Sequence, residues 1–266
     1  MTYTQAIIIG IVEGLTEFLP VSSTAHMKFA NPLIGITNPE SAFVQMFEVV
    51  IQLAAILAVV VLYFKKFIQF KNWNFYLKLV IAVIPALVFG VLLSSYIKNA
   101  LGNLTFIAFI MIAGGVLLLF VDKWFTKVNV TSEEEITKLL AFKIGCFQVL
   151  SILLPGLSRS AATIIGAMSQ KVSRNAAAEF SFFLAVPTMC AASVKSGYDA
   201  LKLDSTVLSG NNLTHLLLGS VVAFVVAVIA IKSFVEFVKK YGFKPFGVYR
   251  IIAGLVMLWL IYSGTL

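Results

Sequence analysis

The sequence is poor in charge. Only 12% of its 266 residues are charged, whereas 60% are hydrophobic. A chain of this composition lacks the polar surface that a soluble domain needs. Several apolar runs approach or exceed the roughly 20 residues that cross a bilayer, and the alternating segments of a membrane β-barrel are not visible. We therefore predict an all-α integral membrane protein.

Other absences narrow the function. The two cysteines, Cys146 and Cys190, lie in apolar stretches and are too few for a disulfide framework, so we expect buried thiols. No Walker loop or dinucleotide fingerprint occurs, which argues against a nucleotide substrate. The net charge of +8 comes without a basic stripe that includes aromatic residues, so we expect no nucleic-acid partner. The opening residues also lack the basic region and cleavage site of a signal peptide.

Six segments are long and apolar enough to span the bilayer, at about 41–64, 75–97, 103–121, 175–197, 213–238 and 246–263. Pro85 and Pro187 fall inside two of these segments, where proline predicts a kink. Two further segments, 3–26 and 139–168, are each broken near the middle by a proline beside Ser, Thr and Gly residues. Because each half is too short to cross, we predict two re-entrant helical hairpins.

Basic residues are distributed unevenly between the two sides of this layout. The loops on one side contain eleven Lys or Arg residues, at 65–74, 122–138, 169–175 and 239–245, and the opposite loops contain four. Lys and Arg collect on the cytoplasmic side. We therefore expect both termini to face outward, with the first hairpin opening to the outer face of the membrane.

The order of segments repeats within the single membrane domain of residues 1–266. Each half, at about 1–122 and 139–266, is one broken hairpin followed by three spans. Because three is odd, the second half enters from the opposite side, which predicts an inverted-topology repeat. The same spacings of three and seven residues occur in both hairpins, at Gly10, Glu13 and Pro20 and at Gly145, Gln148 and Pro155. Hairpins of this kind can meet tip to tip near the middle of the membrane.

The first tip, in EGLTEFLPVSSTAH at 13–26, concentrates polar groups. Glu13 and Glu17 share one helix face, and burying two like charges costs several kcal/mol. A cation, a shared proton or a water-filled cavity would compensate; the alternative is a hydrated pair at a helix mouth. Ser22, Ser23, Thr24 and His26 follow. With a neighbouring carboxylate, a serine and His26 would supply a nucleophile, a base and an orienting acid. The alternative is that the hydroxyls cap the backbone and His26 is an interfacial anchor.

The second tip, in PGLSRSAAT at 155–163, has Arg159 as its only charge. An arginine in an apolar hairpin needs an anionic partner, and its planar fork suits phosphate or carboxylate. Ser158, Ser160 and the N–H groups that start the next helix would add donors to the same anion. The alternative is an ion pair with Glu13 or Glu17. Together the tips fit phosphoryl transfer on an amphiphile with a phosphate head and an apolar tail.

These two motifs resemble the signature motifs of the undecaprenyl-diphosphate phosphatase family, also called the bacitracin-resistance family. FEVVIQLAAILAVV at 47–60 and SRNAAAEFSFFLAVP at 173–187 are similar to the segments that follow each motif. The resemblance covers essentially the whole chain. It implies hydrolysis of the lipid carrier diphosphate to its monophosphate and inorganic phosphate, which recycles the carrier for cell-wall synthesis and confers bacitracin resistance. It also implies two re-entrant hairpins in an inverted repeat.

Carried over by position, the resemblance implies catalytic roles for Glu17, Ser23, His26 and Arg159. It implies that Ser158, Ser160 and Thr163 bind the diphosphate together with Arg159, and that Glu48 is a supporting carboxylate. We also expect Ser22 and Thr24, the hydroxyl residues beside Ser23, to bind substrate. Glu13 and Glu17 form the acidic pair, and their oxygens would suit Mg²⁺ or Ca²⁺. Ala25 and Ala161 stand where the family commonly has glycine, which puts in doubt any backbone conformation with positive φ at these positions.

The sequence does not determine the attacking group or exclude a transporter. The attacking group is Ser23, His26 or a water. A transporter that moves a polyprenyl phosphate without cleaving it would use the same inverted repeat and arginine, although a carrier needs no nucleophile; a structural scaffold would leave the buried charges unexplained. The expected partners are a polyprenyl diphosphate lipid and the membrane, and a homodimer is compatible with the sequence.

Overall fold

The computed structural model describes residues 1–38, 41–203 and 207–266, and nearly all of its regular structure is α-helical. The helices are α1 Tyr3–Thr16, α2 Ser23–Leu33, α3 Ala42–Leu62, α4 Phe64–Phe67, α5 Trp73–Leu92, α6 Ser94–Leu101, α7 Leu104–Trp124, α8 Lys138–Leu153, α9 Arg159–Ser169, α10 Arg174–Leu203, α11 Asn212–Tyr241 and α12 Lys244–Tyr262. A 3₁₀ turn, Glu133–Glu135, lies between α7 and α8.

Six of the described helices are long and apolar enough to cross a membrane, namely α3, α5, α7, α10, α11 and α12. Each corresponds to one segment predicted from the sequence. The largest differences are at helix ends: α5 ends at Leu92 and α6 begins separately at Ser94, whereas α10 and α11 extend beyond the expected limits. Pro85 and Pro187 lie inside α5 and α10.

Large apolar side chains cover the outside of these helices, as a lipid environment requires, for example Leu57, Val80 and Val221. The prediction of buried thiols was wrong, because Cys146 and Cys190 are both exposed on the outside of the bundle and unpaired. In a membrane protein an apolar stretch does not imply burial within the protein, since its side chains can face lipid instead.

The two broken segments form pairs of short helices, as their composition predicts. α1 has 14 residues and α8 has 16, so each is about 21–24 Å long, less than the roughly 30 Å hydrocarbon core. Between the helices of each pair is a turn. We call residues 17–22, with Pro20, the first turn, and residues 154–158, with Pro155, the second turn.

Both turns end in the same local structure. Ser22 and Ser158 adopt positive φ angles of 74° and 77°. Each caps the helix that follows, because its hydroxyl accepts a hydrogen bond from the backbone N–H of Ala25 or Ala161. The positive φ therefore lies on the serines and on Gly156, at 98°, and the alanines at the glycine positions of the family are ordinary helical residues.

The short helices are held by close packing against long ones. α1 packs on α11 and α8 packs on α5, while α3 packs on α10 and α7 packs on α12. Small residues allow this approach: a Cβ on Gly10 would lie 2.7 Å from the Gly219 carbonyl oxygen, and one on Gly145 would meet the carbonyl of Ala82. The two turns are thereby brought together between the α3–α10 pair and the α7–α12 pair.

Candidate active site

The first and second turns meet at a small internal cavity. It measures about 100 Å³ and is lined by Glu17, Ser22, Ser23, Thr24, Gln52, Ser158, Arg159 and Met189. This volume equals roughly three water molecules, which is the scale of one phosphoryl group. Six of the eight lining residues come from the two motifs, so residues far apart in the chain share one polar pocket inside an apolar bundle.

A chain of short hydrogen bonds runs through the cavity wall. Ser23 Oγ donates to Glu17 Oε2 at 2.5 Å, and Arg159 Nη2 donates to Glu17 Oε1 at 2.7 Å. The side chains of Arg159 and Glu17 are only 12% and 6% exposed. The carboxylate is therefore oriented from both sides, and the serine hydroxyl is next to a group that can take its proton.

Arg159 is fixed in place without using all of its donors. Its Nη1 donates to the Ser181 carbonyl at 3.0 Å, and its buried Nε has no partner among the described residues. An arginine carries five N–H donors. The guanidinium thus retains donors for an anion while α10 and Glu17 hold its orientation.

Two helices begin at the cavity. α2 starts at Ser23 and α9 starts at Arg159, and the first N–H groups of a helix have no intrahelical partner. Helix N-termini also carry partial positive charge, which favours a bound anion. The cavity therefore combines a guanidinium, two helix N-termini and several hydroxyls, which is an environment for phosphate.

Glu13 is fully buried one helical turn before Glu17. Neither of its carboxylate oxygens has a hydrogen-bond partner among the described residues. The charged side chains that act on it are Glu17, Glu48 and Arg159. A buried carboxylate without a partner is costly, so Glu13 requires either a proton or a bound cation.

A divalent cation fits this pair of acids. Carboxylate oxygens are the ligands that Mg²⁺ and Ca²⁺ prefer, and Mg²⁺ commonly takes one or two carboxylates with water and substrate phosphates. Within the described ranges no group of three or more His, Cys, Asp or Glu residues could hold a metal. Glu13 and Glu17 are the two acids that would hold such an ion.

Glu48 lies on α3 outside the cavity lining. Asn31 Nδ2 donates to its Oε1 at 2.6 Å, and Lys28 Nζ lies 3.6 Å from its Oε2. It acts on Glu13 through charge and helps to fix α2 against α3.

Ser160 and Thr163 lie behind the cavity, outside its lining. Ser160 Oγ donates to the Leu19 carbonyl at 2.9 Å and so joins the start of α9 to the first turn. Thr163 Oγ1 lies 2.6 Å from Ser181 Oγ, next to the carbonyl that anchors Arg159. In this geometry both hydroxyls hold the protein groups that surround the cavity.

His26 is close in sequence to the cavity but does not line it. Its Nδ1 lies 2.8 Å from the Ser22 carbonyl oxygen and its Nε2 lies 2.7 Å from the Tyr249 hydroxyl on α12. The two rings are stacked. Both ring nitrogens are thus engaged by groups other than Ser23. Its role as the acid or base stays a prediction.

Sequence reasoning missed four residues around the cavity: Gln52, Ser181, Met189 and Arg250. Gln52 is a polar residue within the apolar segment FEVVIQLAAILAVV at 47–60, and this contrast could have identified it. Arg250 stood inside a predicted span, where an arginine requires a partner. Met189 and Ser181 carry no such signal, because methionine and serine are common in membrane helices.

Comparison with known proteins gives a family match over most of the chain. The chain matches the family described as Bacitracin resistance protein BacA over residues 6–256. A protein of Flavobacterium psychrophilum named undecaprenyl-diphosphatase is 53% identical over 97% of this chain and 95% of its own length. Proteins of the same name from Porphyromonas gingivalis and Bdellovibrio bacteriovorus are 46% and 45% identical, over 100% and 99% of this chain and 99% and 98% of their own lengths.

Proposed function

Because the chain belongs to the bacitracin resistance protein BacA family, we propose that it is an undecaprenyl-diphosphatase. It hydrolyses undecaprenyl diphosphate to undecaprenyl phosphate and inorganic phosphate. The activity recycles the lipid carrier for cell-wall synthesis and confers resistance to bacitracin.

The observation that carries this proposal is the contact of Arg159 with Glu17, which in turn accepts from Ser23. A phosphate-binding group from one half of the chain and a hydroxyl with its base from the other half are in one buried cavity. A lipid diphosphate suits this arrangement, because its charged head requires the cavity and its apolar tail can lie among the helices.

We assign the reaction steps as follows. The terminal phosphoryl group binds to the remaining donors of Arg159 and the N-termini of α2 and α9. Ser23 Oγ attacks phosphorus while its proton passes to Glu17, and the bond from phosphorus to the bridging oxygen breaks, releasing undecaprenyl phosphate. Water then attacks phosphorus of the phosphoserine, and the bond from phosphorus to Ser23 Oγ breaks as Glu17 returns its proton to Oγ. The oxygen and both protons of the water leave with the inorganic phosphate. Ser22, Thr24 and Ser158 line the cavity as further hydrogen-bond partners for the phosphate oxygens.

Glu13 and Glu17 are the residues that would hold Mg²⁺ or Ca²⁺. When bound, the ion would neutralise charge on the diphosphate and on the leaving phosphate. It would also compensate the charge of Glu13, whose oxygens have no hydrogen-bond partner among the described residues.

Phosphate release from undecaprenyl diphosphate by the purified protein in detergent tests the activity. We expect one inorganic phosphate for each lipid consumed. A transporter that does not hydrolyse its lipid would release none, and such a result would refute the assignment.

Chelation should reduce the rate. We expect EDTA to suppress phosphate release and added Mg²⁺ or Ca²⁺ to restore it. Glu13→Gln should raise the metal concentration needed for half-maximal activity by at least about tenfold, because one of two carboxylate ligands is lost. Asp199→Asn, at an exposed ion pair with Lys195, is the matched control and should leave the metal requirement unchanged. Full activity in EDTA would argue against the ion.

We also propose that the two hairpins are re-entrant and that the halves form an inverted repeat. The helix contacts support this. In an inverted repeat, α1 would correspond to α8, α3 to α10, α5 to α11 and α7 to α12. Under this correspondence the α1–α11 contact matches the α8–α5 contact. The α3–α10 and α7–α12 contacts each match themselves. The matching caps at Ser22 and Ser158 follow the same exchange.

We place the protein in the bacterial cytoplasmic membrane with its active site open to the outer face. The support is the excess of Lys and Arg in the loops after α3, α7, α9 and α11. The substrate would then be met on the side where polymer synthesis releases it.

Labelling of introduced cysteines tests this orientation. In a background without Cys146 and Cys190, a membrane-impermeant maleimide should label Thr37→Cys in intact cells. It should label Lys127→Cys only after lysis. Both positions are exposed in the structure, so their labelling depends only on the side of the membrane that each one faces. The reverse pattern would place the active site on the cytoplasmic face.

A further inference from the structure

Arg250, on α12, is a fully buried arginine that none of the steps above uses. Within the described part of the chain no carboxylate pairs with it; its partners are backbone carbonyls. Charged side chains inside membrane proteins are costly unless they are satisfied. The burial of this charge therefore indicates a role for Arg250 beyond filling space between helices.

Its hydrogen bonds join the two turns. Arg250 Nη1 donates to the Pro20 carbonyl at 2.9 Å and to the Leu157 carbonyl at 2.8 Å, and its Nη2 donates to the Gly156 carbonyl at 2.8 Å. A fourth bond, from Nε to the Met111 carbonyl at 3.2 Å, fixes the guanidinium to α7. One planar group thus holds the first turn, the second turn and a long helix together.

The neighbouring helix provides space for this group. A Cβ on Gly114 of α7 would clash with the guanidinium of Arg250. Gly115 and Gly247 allow the α7 and α12 backbones to approach closely, since a Cβ on either would lie within 3.0 Å of the other's carbonyl oxygen. The glycines let α12 come near enough for Arg250 to reach both turns.

We propose that Arg250 is a positioning residue that sets the two turns in the register in which Arg159 meets Glu17. The expected effect on catalysis rests on the proposed phosphatase function, whereas the claim that Arg250 holds the two turns in register does not. Arg250 touches neither Ser23 nor Arg159; it acts through the backbone of the residues that precede them. Its planar fork matters, because a lysine keeps the charge but cannot donate to both turns in a fixed geometry.

The first test is Arg250→Met, with Arg250→Lys beside it. We expect kcat for phosphate release to fall by about 100-fold, the effect of a small misplacement of reacting groups, with a much smaller change in KM and little rescue by lysine. Arg174→Met is the matched control, because Arg174 pairs with Asp122 away from the turns; it should keep its activity.

Hydrogen–deuterium exchange provides a readout that does not depend on the reaction. In Arg250→Met, peptides covering residues 17–24 and 154–161 should exchange faster than in the wild type, because the turns lose their common anchor. The remaining helices should exchange as before. The exchange measurement tests whether Arg250 holds the two turns even if the wild type releases no phosphate. A wild type without phosphate release would count against the proposed function alone.

If Arg250→Met does not fold, Gly114→Ala tests the same idea with the arginine retained. The added methyl should displace the guanidinium, lower kcat and speed exchange in both turns. Gly90→Ala, where a Cβ would meet nothing within 4 Å, should behave as the wild type. Normal kcat and unchanged exchange in folded Arg250→Met, or in Gly114→Ala, would overturn the inference.

Discussion

Arg159→Gln should lower kcat/KM for undecaprenyl diphosphate by about 1,000-fold. The substitution removes the guanidinium to which we assign binding of the phosphoryl group, and with it the 2.7 Å bond to Glu17. Arginines that stabilise charge in phosphoryl transfer contribute about 10³–10⁵ in rate, and a 1,000-fold loss corresponds to about 4 kcal/mol of transition-state stabilisation. Arg159→Lys should recover little, since the bonds to Glu17 and to Ser181 depend on the planar fork.

Two measurements distinguish this effect from simple unfolding. Removing one partner of a buried ion pair can cost about 3–5 kcal/mol of stability, so thermal unfolding in detergent must be recorded beside the rate. Arg174→Gln is the matched control, because it removes an arginine–carboxylate pair with Asp122 outside the cavity. Activity of folded Arg159→Gln within a few-fold of the wild type would show that this arginine does not contact the reacting group.

Ser23→Ala should lower kcat by at least about 1,000-fold, because loss of a nucleophile removes the main reaction path. The hydroxyl donates to Glu17 at 2.5 Å, so the substitution also removes the proton transfer. In a rapid-quench experiment with lipid labelled at the terminal phosphate, the wild type should yield phosphoserine in the peptide that contains Ser23. The variant should yield none.

Ser169→Ala is the control for this serine. Its hydroxyl donates to the Gly166 carbonyl at the far end of α9, so its loss should leave the rate unchanged. If Ser23→Ala hydrolyses the lipid at a near-normal rate, Ser23 is not the nucleophile, and the attacking group is water or His26. A label on His26 would instead require a rearrangement of the ring away from Tyr249.

The architecture could be read from the sequence because it depends on local signals. Pro20 and Pro155 interrupt apolar segments at the points where the helices do break, and the six long apolar runs correspond to six helices. The predicted helix ends were less accurate, since the end of α5 at Leu92 and the separate start of α6 at Ser94 lie in a stretch, residues 91–97, without proline, glycine or charge. The lipid-facing cysteines were missed for a related reason: hydrophobicity alone cannot distinguish the protein interior from the bilayer.

The site was partly predictable. Arg159, Glu17 and Ser23 belong to polar clusters in an apolar chain, and each cluster lies at a break between two short helices. The orientation of His26 could not be predicted, because it depends on Tyr249, 223 residues away. The same holds for Arg250, whose partners are backbone carbonyls in distant turns and carry no sequence signature.

The most direct test is a structure of the protein with vanadate, which mimics a phosphoryl group in transfer. We predict that vanadium is bonded to Ser23 Oγ, that Arg159 donates to the vanadate oxygens, and that the N-termini of α2 and α9 face them. Vanadate bound elsewhere, with the cavity between the two turns unchanged, would contradict the assignment of this cavity as the active site.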